Sequence, residues 1–123
     1  MTRISSLFFA AGTVCVLIGM VWGIQMSASG DHRLSSAHAH LNLVGFVLMS
    51  VFGAYYALSP TQARTLWAKL HLAVHLLAVV TLVPGIVMAL TGGGDALAKG
   101  GSVLAVASVV LFLTVILRDM RSS

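Results

Sequence analysis

The sequence predicts an all-α integral membrane protein, a single unit of four transmembrane helices with both ends of the chain in the cytoplasm. Hydrophobic residues make up 59% of the 123 positions and charged residues 8%, whereas soluble domains carry about a quarter charged residues. The mean hydropathy is +1.01. Apolar runs near residues 5–25, 35–59, 66–90 and 98–117 are separated by short polar segments, so one domain covers residues 1–123 and the lipid bilayer is its solvent.

The basic residues predict the orientation of these spans. If the amino terminus lies inside, the inner side collects five of the 7 basic residues, namely Arg3, Arg64, Lys69, Arg118 and Arg121. Only Arg33 and Lys99 then lie outside, and the excess of inner basic residues predicts cytoplasmic termini. Although the formal net charge is +4, the cations sit at the ends of apolar runs. They are therefore topology signals and not a nucleic-acid surface.

The first span reads as a retained helix. A cleaved signal peptide is the competing interpretation, but the apolar core from residue 7 to residue 24 exceeds the 7 to 15 residues of a typical signal sequence. Cys15 is the only cysteine, so no disulfide can form within the chain.

The second span carries the most informative residues, in the run SSAHAHLNLVGFVLMSVFGAYYALS. His38 and His40 fall in its first turns, near one membrane face, and Asn42 follows them. Residues two apart on a helix point about 200° away from each other. We therefore expect His38 and His40 to serve two different sites, one on each side of the helix, and not one shared metal ion.

The third span holds a second pair, His71 and His75, which lie four residues apart and therefore on one face. His75 should lie near the middle of the membrane. Ligation and hydrogen bonding between helices are equally good interpretations of this pair. Pro84 should kink the span and free a carbonyl near Val80. His32, in a loop, should be solvated.

Two segments together resemble a known family. The run AHAHLNLVGFVLMSVFGAYYALSP resembles the tenth transmembrane helix of the heme-copper oxidase catalytic subunit, most closely in C-family oxidases and nitric oxide reductases. There a His-x-His pair precedes a glycine and a tyrosine before a proline. The next run, RTLWAKLHLAVHLLAVVTLVPGIVMAL, looks like the helix that follows. The match covers roughly residues 35–90, and the chain would be a short, four-helix relative.

The resemblance implies a b-type heme protein of the bacterial inner membrane, with heme b held noncovalently and a role in electron transfer or in binding a gas. One histidine of the pair would ligate one heme and the other a second heme. The cofactor-binding residues expected on this basis are His38, His40, Asn42, His71 and His75. Because the family's subunit has 12 spans and a further histidine cluster, one copy of this chain is not expected to reduce oxygen by itself.

The same resemblance implies a homo-oligomer. The oxidase subunit arranges its spans as three four-helix arcs, and the second helix of each arc carries metal-binding histidines. A trimer would imitate this arrangement, with His38 of one protomer and His40 of the next facing the same heme. A dimer with the same pairing is the second choice. Ligation by His40 and His75 within one chain is disfavoured by a depth difference of roughly 10 Å.

Two functions of other classes remain open. Met20, Met26 and Met88 lie near the outer ends of their spans, on the side of His32, His38 and His40, and such ligands suit Cu(I). The chain would then handle copper. Alternatively, it is an assembly subunit without a cofactor. Hydrolytic chemistry is not expected, because the 3 acidic residues, Asp31, Asp95 and Asp119, all fall in loops or tails.

Overall fold

The computed structural model describes every residue from Met1 to Ser123 and contains helices but no strands. Four long helices are joined by short connections: α1 (Arg3–Ser29), α2 (Ser35–Leu58), α4 (Leu66–Leu90) and α5 (Ala96–Ser122), with the single turn α3 (Pro60–Ala63) between α2 and α4. Each long helix is long and apolar enough to cross a membrane. The predicted all-α membrane fold is confirmed, and α5 extends beyond the predicted 98–117 at both ends.

Local sequence signals define where the helices begin and end. The hydroxyls of Thr2 and Thr65 accept backbone N–H groups of the first turns of α1 and α4, at 3.4 Å in both cases, as N-cap residues do. α1 ends at Gly30, whose φ of 70° is left-handed and whose N–H donates to the Met26 carbonyl. Pro60 opens α3 at the position where its missing N–H costs nothing.

The two ends of the bundle differ in what they hold. Residues 2–4 lie around the same hollow as Ala63, Arg64 and Lys69, and Asp119 near the carboxyl terminus contacts Tyr55 and Ser59. Both chain termini and the α2–α4 connection therefore share one end, which we call the terminal end. The loops at residues 30–34 and 91–95 form the other end, which we call the histidine end.

Glycines bring the helices together in two pairs, α1 with α2 and α4 with α5. A Cβ on Gly45 of α2 would lie 2.8 Å from Cys15 Cβ on α1, and a Cβ on Gly101 of α5 would lie 2.5 Å from the Leu82 backbone on α4. Only glycine permits these approaches. Small residues at such contacts are how membrane helices associate when no hydrophobic driving force acts between them.

Aromatic side chains fill the space between the two pairs towards the terminal end. Phe8, Phe52 and Tyr56 are fully buried, and the Phe52 ring lies 4.6 Å from Phe112 of α5. Elsewhere the outer surface is apolar and open; Ile24, for example, is 69% exposed. Such a surface is suited to lipid contact.

The helical repeat of α2 widens in the middle. Residues Leu41–Val47 form a π-helical segment between regular α-helical turns. A π segment leaves a backbone carbonyl without its usual partner and is common at functional sites. No pattern in the sequence predicts this segment. One of its carbonyls, that of Val44, is the hydrogen-bond partner of His75.

Candidate functional site

His38 and His40 enter different surroundings from the first turns of α2. His38 faces α1: its ring meets Trp22 edge-on, with centroids 5.9 Å apart, and a Cβ added to Gly23 would lie 3.3 Å from the His38 Cε1 atom. His40 lies on the opposite side, where its ring is only half-buried. This divergence matches the angular separation of residues two apart on a helix.

The hydrogen bond of His40 defines its free nitrogen. Its Nδ1 lies 2.7 Å from the Ser36 carbonyl oxygen, and a carbonyl only accepts, so Nδ1 must carry the proton. In the neutral ring the lone pair is then on Nε2, which makes no hydrogen bond. A histidine held by Nδ1–H on a backbone carbonyl, with Nε2 unprotonated, has the arrangement usual for a metal ligand.

His38 is enclosed more tightly than His40, but only one of its ring nitrogens has a polar neighbour. The Asn42 amide nitrogen lies 3.4 Å from His38 Nε2, while His38 Nδ1 and Asn42 Oδ1 are buried without partners. Asn42 in turn fills the space that a side chain at Gly19 would occupy. With the amide rotated, the contact still satisfies only one ring nitrogen of His38. One buried polar atom of this ring therefore stays unpaired, at a cost of about 1–3 kcal/mol.

His75 is saturated by hydrogen bonds. Its Nε2 donates to the Val44 carbonyl at 2.8 Å, and its Nδ1 lies 2.8 Å from the Ser108 hydroxyl. Since Nε2 carries the proton, Nδ1 of a neutral ring can only accept, from a Ser108 hydroxyl whose single proton also has the Ala105 carbonyl within 2.8 Å. Val44 belongs to the π segment, so the imidazole satisfies a carbonyl of the widened repeat. Both nitrogens thus have a protein group within 2.8 Å, and the ring is fully buried, so His75 as placed is not open to a metal.

His71 lies beside it in the aromatic core, with ring centroids 6.3 Å apart. Its Nδ1 is 2.9 Å from the Tyr56 hydroxyl. Its Nε2 is buried without a partner, with Phe52 at 4.4 Å and Phe8 at 5.1 Å between ring centroids. The structure therefore places His71 and His75 where they connect helices, and not where they line an open site.

Asp119 has a role that the sequence analysis missed. The sequence predicts a polar tail at Asp119, but the residue lies half-buried in the last turns of α5. Its carboxylate accepts hydrogen bonds from Tyr55 at 2.8 Å, Ser59 at 3.2 Å and Gln62 at 3.5 Å. These contacts join the ends of α2 and α5. The only sequence signal for this role was that Asp119 is an acidic residue among basic ones at the end of an apolar span.

The loop before α2 contributes no free carboxylate to the histidine end. Asp31 accepts the backbone N–H of Arg33 at 3.0 Å and pairs with the Arg33 side chain at 3.2 Å, and these contacts hold the pKa of Asp31 below its ordinary value. His32 is exposed and lies 3.2 Å from the Gly30 carbonyl.

No group of three or more His, Cys, Asp or Glu side chains is placed to hold one metal ion. Of the methionines considered for copper, Met26 is buried while Met20 and Met88 are exposed. The candidate site is the imidazole of His40, because its unbonded Nε2 is not buried, whereas the unbonded nitrogens of His38 and His71 are. No family model, curated protein or solved structure matches the chain.

Proposed function

We propose that this protein binds heme b noncovalently in the membrane and that His40 supplies an axial imidazole. The observation that supports this most directly is the 2.7 Å contact between His40 Nδ1 and the Ser36 carbonyl, because it leaves the Nε2 lone pair on the outer side of α2. The likeness of the AHAHLN run to the oxidase helix agrees with this choice.

The residues around His40 fit a porphyrin. Leu43, Val47 and Val51 follow it along the exposed side of α2 and are 55%, 44% and 49% exposed. An apolar macrocycle would cover these side chains, while the imidazole binds the iron. The bound heme would supply one-electron redox chemistry or a site for a small gas; the chain's own residues orient it and keep water away.

A second axial imidazole would come from another copy of the chain. Within one chain, His75 has both nitrogens engaged, and His38 is held between Trp22, Gly23 and Asn42. A two-fold axis beside α2 brings two His40 side chains to one heme, as an isologous interface requires. The trimer, which pairs His38 with His40, requires His38 to leave its place against α1. The geometry therefore favours the dimer.

We further propose a multi-pass protein of the bacterial inner membrane with the terminal end in the cytoplasm. The five-to-two distribution of basic residues supports this orientation. Reporter fusions after Ser123 and within the loop at residues 91–95 should then give opposite signals. A periplasmic carboxyl terminus would reverse the assignment.

The proposal is tested on the detergent-purified protein, expressed with added hemin. Oxidised and reduced absorption spectra should show a b-type heme, and native mass spectrometry should detect two chains with one heme. Metal analysis of the same sample separates iron from copper. A colourless protein that carries copper would favour the copper-handling function, and a monomer with a bis-histidine spectrum would refute ligation shared between chains.

A further inference from the structure

Five basic side chains gather at the terminal end with little to neutralise them. Both ion pairs of the structure, Asp31 with Arg33 and Asp95 with Lys99, lie at the histidine end. The only carboxylate side chain of the terminal end is Asp119, which binds three neutral donors. Arg118 lies over the Trp67 ring at 5.4 Å.

Three of these cations surround one hollow. Arg3 on α1 and Arg64 and Lys69 around the start of α4 line a space of about 380 Å³, together with Thr2, Ile4 and Ala63. None of the three pairs with a carboxylate. Like charges around one concave space repel each other, so the arrangement is favourable when an anion lies between them.

A second, apolar groove lies deeper along the same two helices and shares no lining residue with the hollow. α1 and α4 both start at the terminal end and run in the same direction. Seven residues separate Ile4 from Ala11 and Lys69 from Leu76, which is about 10 Å of helix. At that depth a groove of about 500 Å³ begins, and it is lined by Ala11, Val14, Ile18, Leu76, Val80 and Val83 among others.

We propose that the α1–α4 seam binds one anionic phospholipid, with its phosphate among Arg3, Arg64 and Lys69 and an acyl chain in the groove. Cationic side chains lie at the end of the two helices and apolar side chains lie deeper, in the same order as the headgroup and the acyl chains of a phospholipid. A basic pocket between membrane helices is suited to such headgroups. Free inorganic phosphate shares the headgroup's charge but has nothing to place in the groove.

The site is separate from the proposed heme site. The groove floor includes Leu41 and Met49 of α2, whereas His40 lies on the side of α2 that faces away from α1. Lipid binding can therefore be measured whether or not heme is present. A result against one proposal leaves the other unaffected.

The experiment uses native mass spectrometry of the full chain with added phosphatidylglycerol, phosphatidylcholine of the same acyl chains, or inorganic phosphate. The unaltered protein should retain one phosphatidylglycerol in preference to phosphatidylcholine. R64Q/K69Q should bind it about thirtyfold more weakly, since each of the two lost cations near the membrane surface accounts for about fivefold. Arg121→Gln removes a charge at the same end outside the hollow and should bind as the unaltered protein does.

A second variant tests the groove. Val80→Trp places a large ring among its exposed apolar side chains, where it should displace the acyl chain and weaken retention without altering the basic hollow. Circular dichroism verifies that each variant is folded. The proposal is overturned if R64Q/K69Q retains as much phosphatidylglycerol as Arg121→Gln does. It is also overturned if phosphate competes fully while Val80→Trp has no effect, since the site would then bind a free anion.

Discussion

The two long helices α2 and α4 each carry two histidines, and the bundle uses the two pairs differently. His71 and His75 have 0% exposure and connect helices through Tyr56, Ser108 and the Val44 carbonyl. His40 is half-buried, and its only hydrogen bond fixes the ring without occupying Nε2.

This difference shows that the position of a histidine along a span is a poor guide to whether its ring nitrogens are bonded within the protein. A deeply buried imidazole loses stability for each nitrogen that has no protein partner, since no water is available, and His71 Nε2 is such a nitrogen. An imidazole at the edge of the bundle can keep one nitrogen free. The polar residue that looks most costly in the sequence, His75, is the one with the most complete set of partners.

His75→Leu should give the largest loss of stability. It removes the imidazole donor of the buried Val44 carbonyl, which costs about 1 to 3 kcal/mol, and it should in addition destabilise the π segment that this carbonyl belongs to. Thermal unfolding in detergent measures the effect. His32→Ala, at an exposed loop histidine, is the control and should change stability by less than about 0.5 kcal/mol. Equal stability of the two variants would mean that His75 does not hold the helices together.

Gly101→Ala should give the second largest loss of stability. Gly101 lets α5 pack closely against α4, and this packing places His75 near Ser108. Gly101→Ala directs a methyl group at the Leu82 backbone, 2.5 Å away, whereas a Cβ on Gly100 meets nothing within 4 Å. We expect Gly101→Ala to cost about 1 to 3 kcal/mol and Gly100→Ala to be neutral or slightly stabilising. Unfolding temperatures that respond alike to both would contradict the close packing of these helices.

Gly19→Ala tests the surroundings of His38, one of the two histidines of α2. The added methyl group displaces Asn42 and with it the support of His38 Nε2, and we expect a loss of about 1 to 2 kcal/mol. Any heme spectrum should nevertheless persist, because His40 lies on the other side of α2. Loss of heme in a folded Gly19→Ala protein would show that the His38 side carries the ligand.

Tyr56→Phe should have the smallest effect, about 1 kcal/mol, because it removes the one hydrogen bond of His71 and keeps the ring that packs on Phe8. A double-mutant cycle with His71→Leu isolates this bond from the packing of the two rings. A coupling energy near zero would mean that the hydroxyl and the imidazole act independently.

Much of the fold could be predicted because membrane spans are specified by composition. Apolar length alone predicted all four long helices, and Pro60 and Gly30 lie where helices start and stop. The carboxyl-terminal end of α5 was missed because its last turns, with Arg118, Asp119 and Arg121, are polar and resemble a tail. In the structure Asp119 of these turns accepts a hydrogen bond from Tyr55, a contact between residues 64 apart in sequence that no local pattern signals.

The candidate site was only partly predictable. The opposite directions of His38 and His40 follow from helical geometry. The engagement of His75 does not, because it requires the Val44 carbonyl of a π segment and a serine 33 residues away. The helix α4 continues through Pro84, which has no N–H for the Val80 carbonyl, whereas nothing in the sequence signals the Val44 carbonyl that His75 binds in α2.

The reduced-minus-oxidised absorption spectrum of histidine variants tests the central claim most directly. His40→Ala should lose the b-type heme signal, because the iron loses its axial imidazole, and His32→Ala should keep it. His71→Ala should also keep the signal wherever the protein still folds. If His40→Ala retained the parent spectrum while His71→Ala or His38→Ala lost it, the assignment of His40 as the ligand would be wrong.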